Sequence, residues 1–368
     1  MINPSLSAYN LSEEEYERYS RHLILNPISI SGQKRIKAAK VLCIGAGGLS
    51  SSALLYLAAS GIGTIGIIDD DTVDKSNLQR QILYKENNIE EDKVTAAQNN
   101  LNELNTLCQI KTYKKRLNRT NAHNIIKNYD IIIDGTDNIT SRYIISHFCH
   151  ELHKIHIYGA AQNFEGQISV FNYQGGPSYH NLYPKTQHNI VTTCNQRGVL
   201  GMLPGIVGLL QATETIKIIT GMDNILSGHL LKYNVINMSF QKVKIEPQTL
   251  NNRLKPEVDD KTHNTKGINY ISMTQLNLMK HNNPNLIIVD VREYTEFKVK
   301  HLSNSINIPL KNIREPNIIR NLQYNSNQQS IIIYCNNEYN SSIASKILNK
   351  YQIKHYILVG GIESLSSK

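Results

Sequence analysis

The chain has 368 residues, of which 40% are hydrophobic and 19% are charged. At roughly 150 residues per domain, this length suggests about two domains, and the composition is typical of a globular rather than a disordered protein. No apolar run reaches the ~20 residues of a membrane helix. The N-terminus lacks the basic and apolar regions of a secretion signal. We therefore expect neither membrane insertion nor secretion.

The five cysteines contain no CxxC pair, which argues against a disulfide framework and against a cysteine-built zinc site. A reducing compartment is implied. The net charge of +9 is scattered rather than arranged as a basic stripe, so nucleic acid is not an expected partner. Abundant Asn, Ile and Lys indicate an AT-rich genome, and from this we expect a cytoplasmic or plastid-stromal location.

The first half of the chain predicts a parallel α/β sheet of Rossmann-like type. The apolar run Ala39–Ile44 meets a glycine-rich turn and a helical pattern, and a second apolar run follows at Thr64–Ile68. Strand, glycine turn, helix and strand in this order are typical of a parallel sheet. Further elements are predicted as strands over 129–134 and 155–159, a helix over 140–153, an antiparallel addition over 166–173, and an apolar helix over 201–219 that packs on the sheet or on another subunit.

A second, smaller α/β domain is predicted after a polar stretch. Residues from about 246 to 267 have two prolines and little periodicity, which is typical of a linker. The predicted organisation is therefore a domain over 1–248, a linker over 249–267 and a second domain over 268–368. The second domain is expected to have strands over 286–290, 305–308, 329–335 and 356–360, and helices over 293–300 and 341–350.

The glycine turn predicts a nucleotide site. Glycines let the backbone approach phosphates, and the start of the following helix offers free N–H groups. Asp69 follows Gly48 by 21 residues, so its carboxylate is placed to accept from ribose hydroxyls. Ser50 stands where the dinucleotide fingerprint has its third glycine. The turn alone fits nicotinamide enzymes as well as ATP enzymes.

Charged residues further along the chain favour phosphoryl chemistry. Arg80 and Lys93 lie within 25 residues of Asp69, and both can neutralise a triphosphate. Asp137 follows a predicted strand and can hold Mg²⁺ through carboxylate oxygens. A hydride-transfer enzyme does not need this set.

A series of motifs over residues 8–248 carries a family resemblance. In chain order they are Arg18-Tyr19-Ser20-Arg21, Gly45-Ala46-Gly47-Gly48-Leu49, Asp69 with Asp71, Ser76-Asn77-Leu78-Gln79-Arg80, Lys93, Asp134-Gly135-Thr136-Asp137-Asn138, Gly166-Gln167 and Thr193-Cys194. The chain resembles the MoeB/ThiF family, the bacterial relatives of ubiquitin-activating enzymes. The resemblance implies an ATP site formed by Gly48, Asp69, Ser76, Asn77, Leu78, Gln79, Arg80, Lys93, Asp137 and Asn138.

The same resemblance implies a reaction and an assembly. ATP and the C-terminal glycine carboxylate of a small ubiquitin-like sulfur carrier give an acyl-adenylate and pyrophosphate. The leading hypothesis for the carrier of this protein is the small subunit of molybdopterin synthase, in molybdenum cofactor biosynthesis. Arg80, Lys93 and Asp137 are the implied catalytic residues, with Mg²⁺ on Asp137. Members are homodimers in which the arginine that matches Arg21 reaches the partner's ATP.

Two further positions follow from the resemblance. Cys194 matches a cysteine that forms a covalent intermediate with the carrier in parts of the family, so a chemical role is one reading and a buried apolar side chain is the other. Many relatives bind a structural zinc through two CxxC pairs, which this sequence lacks. We therefore expect no zinc, since His180 and His188 alone cannot form a tetrahedral site.

The second domain resembles a rhodanese-like domain over about residues 268–368. The residues that carry this resemblance are Val289-Asp290-Val291-Arg292-Glu293, His301-Leu302, Tyr334-Cys335 and Gly360-Gly361-Ile362. It implies that Cys335 carries a persulfide received from a cysteine desulfurase-type donor. The loop after Cys335 lacks the usual glycine and arginine, and Glu338 is expected to raise the pKa of the thiol. Asp290 and Arg292 are expected to form an internal ion pair.

Several functions remain open at this point. The same chemistry on the carrier of the thiazole pathway or of tRNA thiolation is the nearest alternative. An NAD-dependent oxidoreductase with a regulatory tail is a second, and a non-catalytic scaffold that binds the carrier is a third. Arg80, Lys93 and Asp137 argue against the oxidoreductase, and an assay of ATP–pyrophosphate exchange separates all of them.

Overall fold

The chain divides into two compact units, Met1–Arg253 and Leu254–Lys368. The structure, a computed structural model, describes residues 6–184, 198–245, 269–282, 286–326, 329–336 and 338–362. The predicted linker, residues 249–267, lies outside the described residues. Each unit has its own sheet and its own hydrophobic core.

The predicted helices and strands of the N-terminal unit occur in the expected order, together with elements that were not predicted. Its described helices are α1 (Glu13–Arg18), α2 (Ser20–Leu23), α3 (Ser29–Ala38), α4 (Gly48–Ala59), α5 (Lys93–Leu104), α6 (Ala122–Ile126), α7 (Ile139–Glu151), α8 (Tyr179–Leu182) and α9 (Met202–Thr220). Its described strands are β1 (Lys40–Ile44), β2 (Thr64–Asp69), β3 (Gln109–Lys114), β4 (Ile131–Asp134), β5 (Ile155–Gln162), β6 (Glu165–Phe171), β7 (His229–Asn234) and β8 (Ser239–Lys244).

These strands form one eight-stranded sheet in the order β3-β2-β1-β4-β5-β6-β7-β8. The pairs from β3 to β5 are parallel, and those from β5 to β8 are antiparallel. The predicted antiparallel addition over 166–173 is therefore confirmed as β6. Strand β1 is buried from Val41 to Ile44, as expected for a parallel strand covered on both faces. The predicted fold class is confirmed.

The helix that follows the glycine turn packs closely on the sheet although Ser50 replaces a glycine. Ser50 is fully buried, and its hydroxyl donates a hydrogen bond of 2.5 Å to the carbonyl oxygen of Gly45. A side chain at Gly135 would overlap that hydroxyl. The missing Cβ of Gly135 thus makes room for the extra atom on α4.

Helix α9 corrects the expectation that no segment is as long and apolar as a membrane helix. Among the described residues, α9 is long and apolar enough to cross a membrane by length and composition alone. It instead packs on α4, α3, β5 and β6, so its apolar character is that of a core helix. The prediction that it packs on the sheet is confirmed.

The C-terminal unit holds a five-stranded parallel sheet in the order β11-β10-β12-β13-β9. Its described strands are β9 (Asn269–Ile271), β10 (Ile287–Asp290), β11 (Ser305–Asn307), β12 (Ile331–Tyr334) and β13 (His355–Leu358). Its described helices are α10 (Met273–Asn282), α11 (Tyr294–Val299), α12 (Pro316–Ser326) and α13 (Glu338–Lys350). The central strand β12 is buried along its whole length, which places its C-terminal end, and Cys335 after it, deep in the unit.

The contact between α4 and α9 gives a stability test. A Cβ added at Gly208 would overlap the carbonyl oxygen of Leu49 and the hydroxyl of Ser52, whereas one at Gly205 meets nothing within 4 Å. We expect Gly208→Ala to lower the free energy of unfolding by ~1–3 kcal/mol through overpacking. Gly205→Ala, in the same helix, should be neutral or stabilising by up to ~1 kcal/mol. Urea unfolding of both variants checks this, and equal effects would contradict the close packing.

Candidate active site

The glycine turn opens at the carboxyl end of β1. Gly45 has a φ of +86°, in the left-handed region that favours glycine. Gly47 caps α4, and Gly48 is the first helical residue. The N–H groups of the first helical turn have no acceptor within the helix. The turn therefore has the backbone form that a phosphate site requires.

Asp69 fixes the shape of this turn. It ends β2, and its Oδ2 accepts a hydrogen bond of 2.7 Å from the N–H of Ala46 while its Oδ1 accepts one of 2.8 Å from the N–H of Asp71. Burial raises the pKa of Asp69, and the nearby Lys93 ammonium and the two N–H donors act in the opposite direction. Asp69 thus shapes the glycine turn from within the chain. Its contact with ribose stays a prediction.

Lys93 is not a solvated surface charge. It is the first residue of α5, and only 7% of its side chain is exposed. Its Nζ lies 2.8 Å from Oδ2 of Asp71, whose side chain is 68% exposed. Lys93 also acts electrostatically on Asp69, the carboxylate that accepts from the N–H of Ala46 in the glycine turn.

The segment Ser76–Arg80 is held by local hydrogen bonds. A single 3-10 turn spans Lys75–Asn77, and the side chain of Asp74 accepts a hydrogen bond of 2.6 Å from the N–H of Ser76. Arg80 Nη1 donates to the carbonyl oxygen of Ser76 at 3.0 Å. A Cβ added at Gly48 would lie 3.4 Å from Cγ of Arg80. The structure therefore brings Arg80 beside the start of α4.

The rest of this segment has supporting contacts. Asn77 accepts from the N–H of Asp74 through its side chain at 3.3 Å. Leu78 packs against the main core of the unit. Gln79 is exposed but lies against Gly201, where a side chain would overlap it.

The loop after β4 carries the predicted metal ligand. The N–H of Gly135 donates to the carbonyl oxygen of Ile44 at 2.9 Å, which joins this loop to the glycine turn. Asp137 is exposed, and Asn138 caps α7 by accepting from the N–H of Ser141 at 2.9 Å. The structure thus gathers the glycine turn, Asp69, Arg80, Lys93 and the Asp137 loop at the carboxyl edge of β1, β2 and β4.

A buried polar cluster beneath the Asp137 loop escaped the sequence analysis. Its members share burial and hydrogen bonds with one another or with the loop backbone: Asp134, Thr136, Arg142, His156 and Gln211. The available signal was the single histidine in the apolar run over 155–159. Burial alone would raise the pKa of Asp134. The hydrogen bonds from His156 and Thr136 and the positive charge of Arg142 outweigh that effect, so the pKa of Asp134 is lowered.

For the remaining predicted positions, the single chain does not test the predicted role. Arg21 lies on α2 and is exposed, and nothing in a single chain tests its reach to a partner. Cys194 and His188 lie outside the described residues. His180 contacts the hydroxyl of Ser146 through Nδ1 at 3.2 Å. Among the described residues, the carboxylates of Asp69–Asp71 are grouped closely enough to hold a cation.

Cys335 occupies a buried position after β12 in the C-terminal unit. Its exposure is 1%. Burial raises the pKa of its thiol to about 11, and the carboxylates of Asp290 and Glu296 add to the rise, whereas hydrogen bonds from Asn336 and Asn340 oppose it. The sequence predicted a raised pKa from Glu338, but burial is the larger cause, and the side chain of Glu338 lies outside the described residues.

The predicted ion pair next to Cys335 is confirmed. Arg292 Nη2 lies 2.6 Å from Oδ2 of Asp290, and both side chains are almost fully buried. Arg292 also donates to the side-chain oxygen of Asn336 at 3.0 Å, and Asn336 in turn donates to Glu296 at 2.7 Å. The guanidinium of Arg292 is therefore held by Asp290 and Asn336 within this buried network.

The chain matches two known protein families. A model of the ThiF family matches residues 19–254, and a model of the rhodanese-like domain matches residues 272–368. The chain belongs to the ThiF family. It also carries a C-terminal rhodanese-like domain, so both resemblances noted in the sequence are confirmed.

Two relatives match this chain over nearly their whole length. The chain is 47% identical over 354 residues to a "Probable molybdopterin-synthase adenylyltransferase" of Gracilaria tenuistipitata var. liui, covering 96% of this chain and 99% of the relative. It is 35% identical over 368 residues to a "Probable adenylyltransferase/sulfurtransferase MoeZ" of Mycobacterium tuberculosis, covering 96% and 93%. The crystal structure of Escherichia coli MccB with ATP has a TM-score of 0.56 at 19% identity, covering 67% of this chain and 82% of that one. That likeness shows the fold.

The buried thiol gives a pH test. Raising the pKa of Cys335 from 9.0 to about 11 should lower its reactive thiolate fraction near neutral pH by about 100-fold relative to an ordinary cysteine. The folded-state pKa is raised, so the thiol contributes stability below its unfolded pKa, and this contribution is lost as the pH rises through about 11.

Alkylation of the full chain by iodoacetamide, followed by mass spectrometry of the peptide that contains Cys335, measures this. We expect the rate to keep rising to about pH 11. The urea-unfolded chain serves as the control and should show the ordinary cysteine value. An inflection in the folded chain at or below that value would contradict the burial argument.

Proposed function

We propose that the N-terminal unit adenylates the C-terminal glycine carboxylate of a small ubiquitin-like sulfur carrier. The single observation that carries the proposal is the buried ammonium of Lys93, which is held beside Asp71 and acts electrostatically on Asp69, the residue that accepts from the glycine turn. A positive charge in that position suits a polyphosphate. The names of the relatives, adenylyltransferases in each case, support the same reading.

In this proposal each part of the site has one task. The backbone N–H groups at Gly47 and Gly48 receive phosphate oxygens at the start of α4. Lys93 and Arg80 neutralise the phosphate charge that would otherwise repel the incoming carboxylate. Ser76, Asn77, Leu78 and Gln79 form the segment that presents Arg80. Asp69 holds the turn and accepts from ribose.

Mg²⁺ fits the residues present. Asp137 offers an exposed carboxylate on a loop joined to the glycine turn, and carboxylate oxygens are ligands that Mg²⁺ prefers. When bound, the ion would neutralise charge on the phosphates of ATP. Asn138 holds the end of the loop by capping α7, so it positions Asp137.

The adenylation step needs no further reactant. A carboxylate oxygen of the carrier forms a bond to the α-phosphorus of ATP. The bond from that phosphorus to the bridging oxygen breaks, and its electron pair leaves with pyrophosphate. The protein contributes placement and positive charge rather than a covalent bond.

Sulfur transfer is proposed for the C-terminal unit. A persulfide on Cys335 attacks the carrier adenylate through its terminal sulfur, and AMP leaves with the electron pair of the broken bond. A second thiol then attacks the sulfur of Cys335 and releases the carrier thiocarboxylate with formation of a disulfide. A cysteine desulfurase-type protein is the proposed source of the persulfide, and a chemical role for Cys194 stays a prediction.

The pathway and assembly are the finer parts of the proposal. The small subunit of molybdopterin synthase is the favoured carrier, since a relative that matches over almost its whole length bears that name. The carriers of the thiazole and tRNA-thiolation pathways stay as alternatives. A homodimer in which Arg21 reaches the partner's nucleotide, a cytoplasmic or plastid location, and a protein without zinc, nucleic acid or membrane as partners stay predictions.

Replacement of Asp137 tests the adenylation site. Asp137→Ala should abolish carrier-dependent ATP–pyrophosphate exchange, because one lost electrostatic contact typically costs ~10²–10³ in rate and a lost metal ligand at least as much. Asp223→Ala, which removes another exposed carboxylate, is the matched control and should leave exchange unchanged. Exchange within about threefold of wild type in folded Asp137→Ala would reject the role.

Replacement of Cys335 separates the two activities. Cys335→Ser should keep pyrophosphate exchange near the wild-type rate but stop thiocarboxylate formation from a protein persulfide donor, because a serine oxygen cannot hold the transferable sulfur. The mass of the carrier reports the exchange of oxygen for sulfur. Free sulfide must be absent, since it could attack the adenylate directly.

A rhodanese-like domain that only docks partners would give a different pair of results. If the rhodanese-like domain only docks partners, Cys335→Ser makes thiocarboxylate at the wild-type rate, and a chain truncated after about residue 250 does not. If Cys335 carries the sulfur, both variants fail alike in thiocarboxylate formation and both keep exchange.

A further inference from the structure

The buried carboxylate of Asp134 lies directly before the loop that carries Asp137. It is the last residue of β4, and its side chain is fully buried. A carboxylate removed from water is costly unless hydrogen bonds and opposite charge compensate for the loss. The groups that compensate Asp134 must therefore be held in place with it.

Both carboxylate oxygens of Asp134 have partners. Oδ1 accepts from the N–H of Thr136 at 3.0 Å and from its hydroxyl at 2.7 Å. Oδ2 lies 3.2 Å from Nε2 of His156, which is 1% exposed. Since an ionised carboxylate only accepts, the hydrogen on this contact belongs to His156. The pKa of Asp134 is lowered in spite of its burial, in agreement with these contacts.

Two other side chains of the buried polar cluster hold the backbone that leads to Asp137 by hydrogen bonds. The carbonyl oxygen of Thr136 accepts from Arg142 Nη2 at 2.8 Å. The carbonyl oxygen of Asp134 accepts from Gln211 Nε2 at 2.9 Å. Residues 134 to 136 are thus fixed from the sheet, from α7 and from α9, and the next residue, Asp137, is exposed.

Among the members of this cluster, His156 is the one whose residue type is unusual for its position, since it lies in a buried strand of the core. The other residues of β5 from Ile155 to Gly159 are buried, and Tyr158 is the one among them with a polar side-chain group. Its Nδ1 has no hydrogen-bond partner among the described residues, which costs stability relative to an apolar side chain of similar size. The ring packs on Phe171 with 5.5 Å between centroids, a contact that an apolar residue could also make. Its distinctive contribution is the hydrogen bond to Asp134.

We propose that His156 is a positioning residue for adenylation: through Asp134 and Thr136 it fixes the loop that presents Asp137. The proposal rests on the proposed adenylation function for its catalytic consequence. Its structural part, the restraint of residues 134 to 136, stands on the hydrogen bonds alone. Small errors in the placement of a catalytic group can cost about 10²-fold in rate, so a remote side chain of this kind can affect turnover without touching ATP.

Three variants of the full-length chain test this. His156→Leu removes the donor to Asp134. His156→Gln keeps an N–H at a comparable distance from the backbone and is the conservative rescue. Ser169→Ala is the matched control, since it removes another buried hydrogen bond in the sheet, to the carbonyl oxygen of His229 at 2.8 Å, and leaves residues 134 to 138 untouched.

We expect His156→Leu to lower kcat for carrier-dependent pyrophosphate exchange by about 10- to 100-fold, with KM for ATP changed by less than about threefold. His156→Gln should recover most of the lost kcat, and Ser169→Ala should keep wild-type kcat. Hydrogen–deuterium exchange at the amide of Thr136 should quicken in His156→Leu but not in the other two. A purely structural role would lower the melting temperature of His156→Leu and Ser169→Ala alike without these specific changes.

Two results would overturn the proposal: wild-type kcat with wild-type protection of Thr136 in His156→Leu, or the same loss of kcat in Ser169→Ala. If His156→Leu does not fold, Thr136→Val removes the hydroxyl donor to Asp134 from the other side and should lower kcat in the same way. Failure of the adenylation function itself is seen separately, as no exchange by wild type with any carrier. In that event the amide exchange of Thr136 alone decides whether His156 restrains the loop.

Discussion

The buried ammonium of Lys93 is the charge on which the N-terminal site depends. An ammonium removed from water needs a negative partner, and here Asp71 supplies it at 2.8 Å while Asp69 acts from nearby. Asp69 also accepts from the N–H of Ala46, so one of the two carboxylates that act on Lys93 also holds the glycine turn. The strand order β2-β1-β4 then brings the Asp137 loop to the same edge.

The two units present opposite electrostatic settings. In the N-terminal unit, the positive side chains of Lys93 and Arg80 lie near the glycine turn and the start of α4. In the C-terminal unit, Cys335 is buried near Asp290 and Glu296, and its thiol is held protonated at neutral pH. Such a thiol is protected from small oxidants and alkylating agents.

The sequence predicted most of the fold because buried parallel strands read as short apolar runs. The runs at 39–44, 64–68 and 129–134 became β1, β2 and β4 with small shifts at their ends. Strand β8 was not predicted, since it is exposed along its whole length and has no apolar pattern. Strands β3 and β7 were not predicted either; β3 has one buried residue, Ile110, and therefore no buried apolar run.

The motifs likewise predicted which residues gather at the site, but not their burial. Sequence spacing does not show that the stem of Lys93 is enclosed or that burial dominates the pKa of Cys335. The hydrogen bond between Asp134 and His156 joins two strands across 22 residues of sequence, so no local sequence pattern predicts it. These features depend on the packed tertiary structure, where the absence of water decides the energy of a charge.

Carrier-dependent ATP–pyrophosphate exchange by the wild-type chain tests the central claim most directly. The carriers are the small subunit of molybdopterin synthase and those of the thiazole and tRNA-thiolation pathways, each with a free C-terminal carboxylate and each also as a C-terminal amide. The account predicts exchange with at least one free carboxylate and none with the matching amide, since the amide cannot attack the α-phosphorus. Exchange that is absent with all three carriers, or equal with the amide, would contradict it.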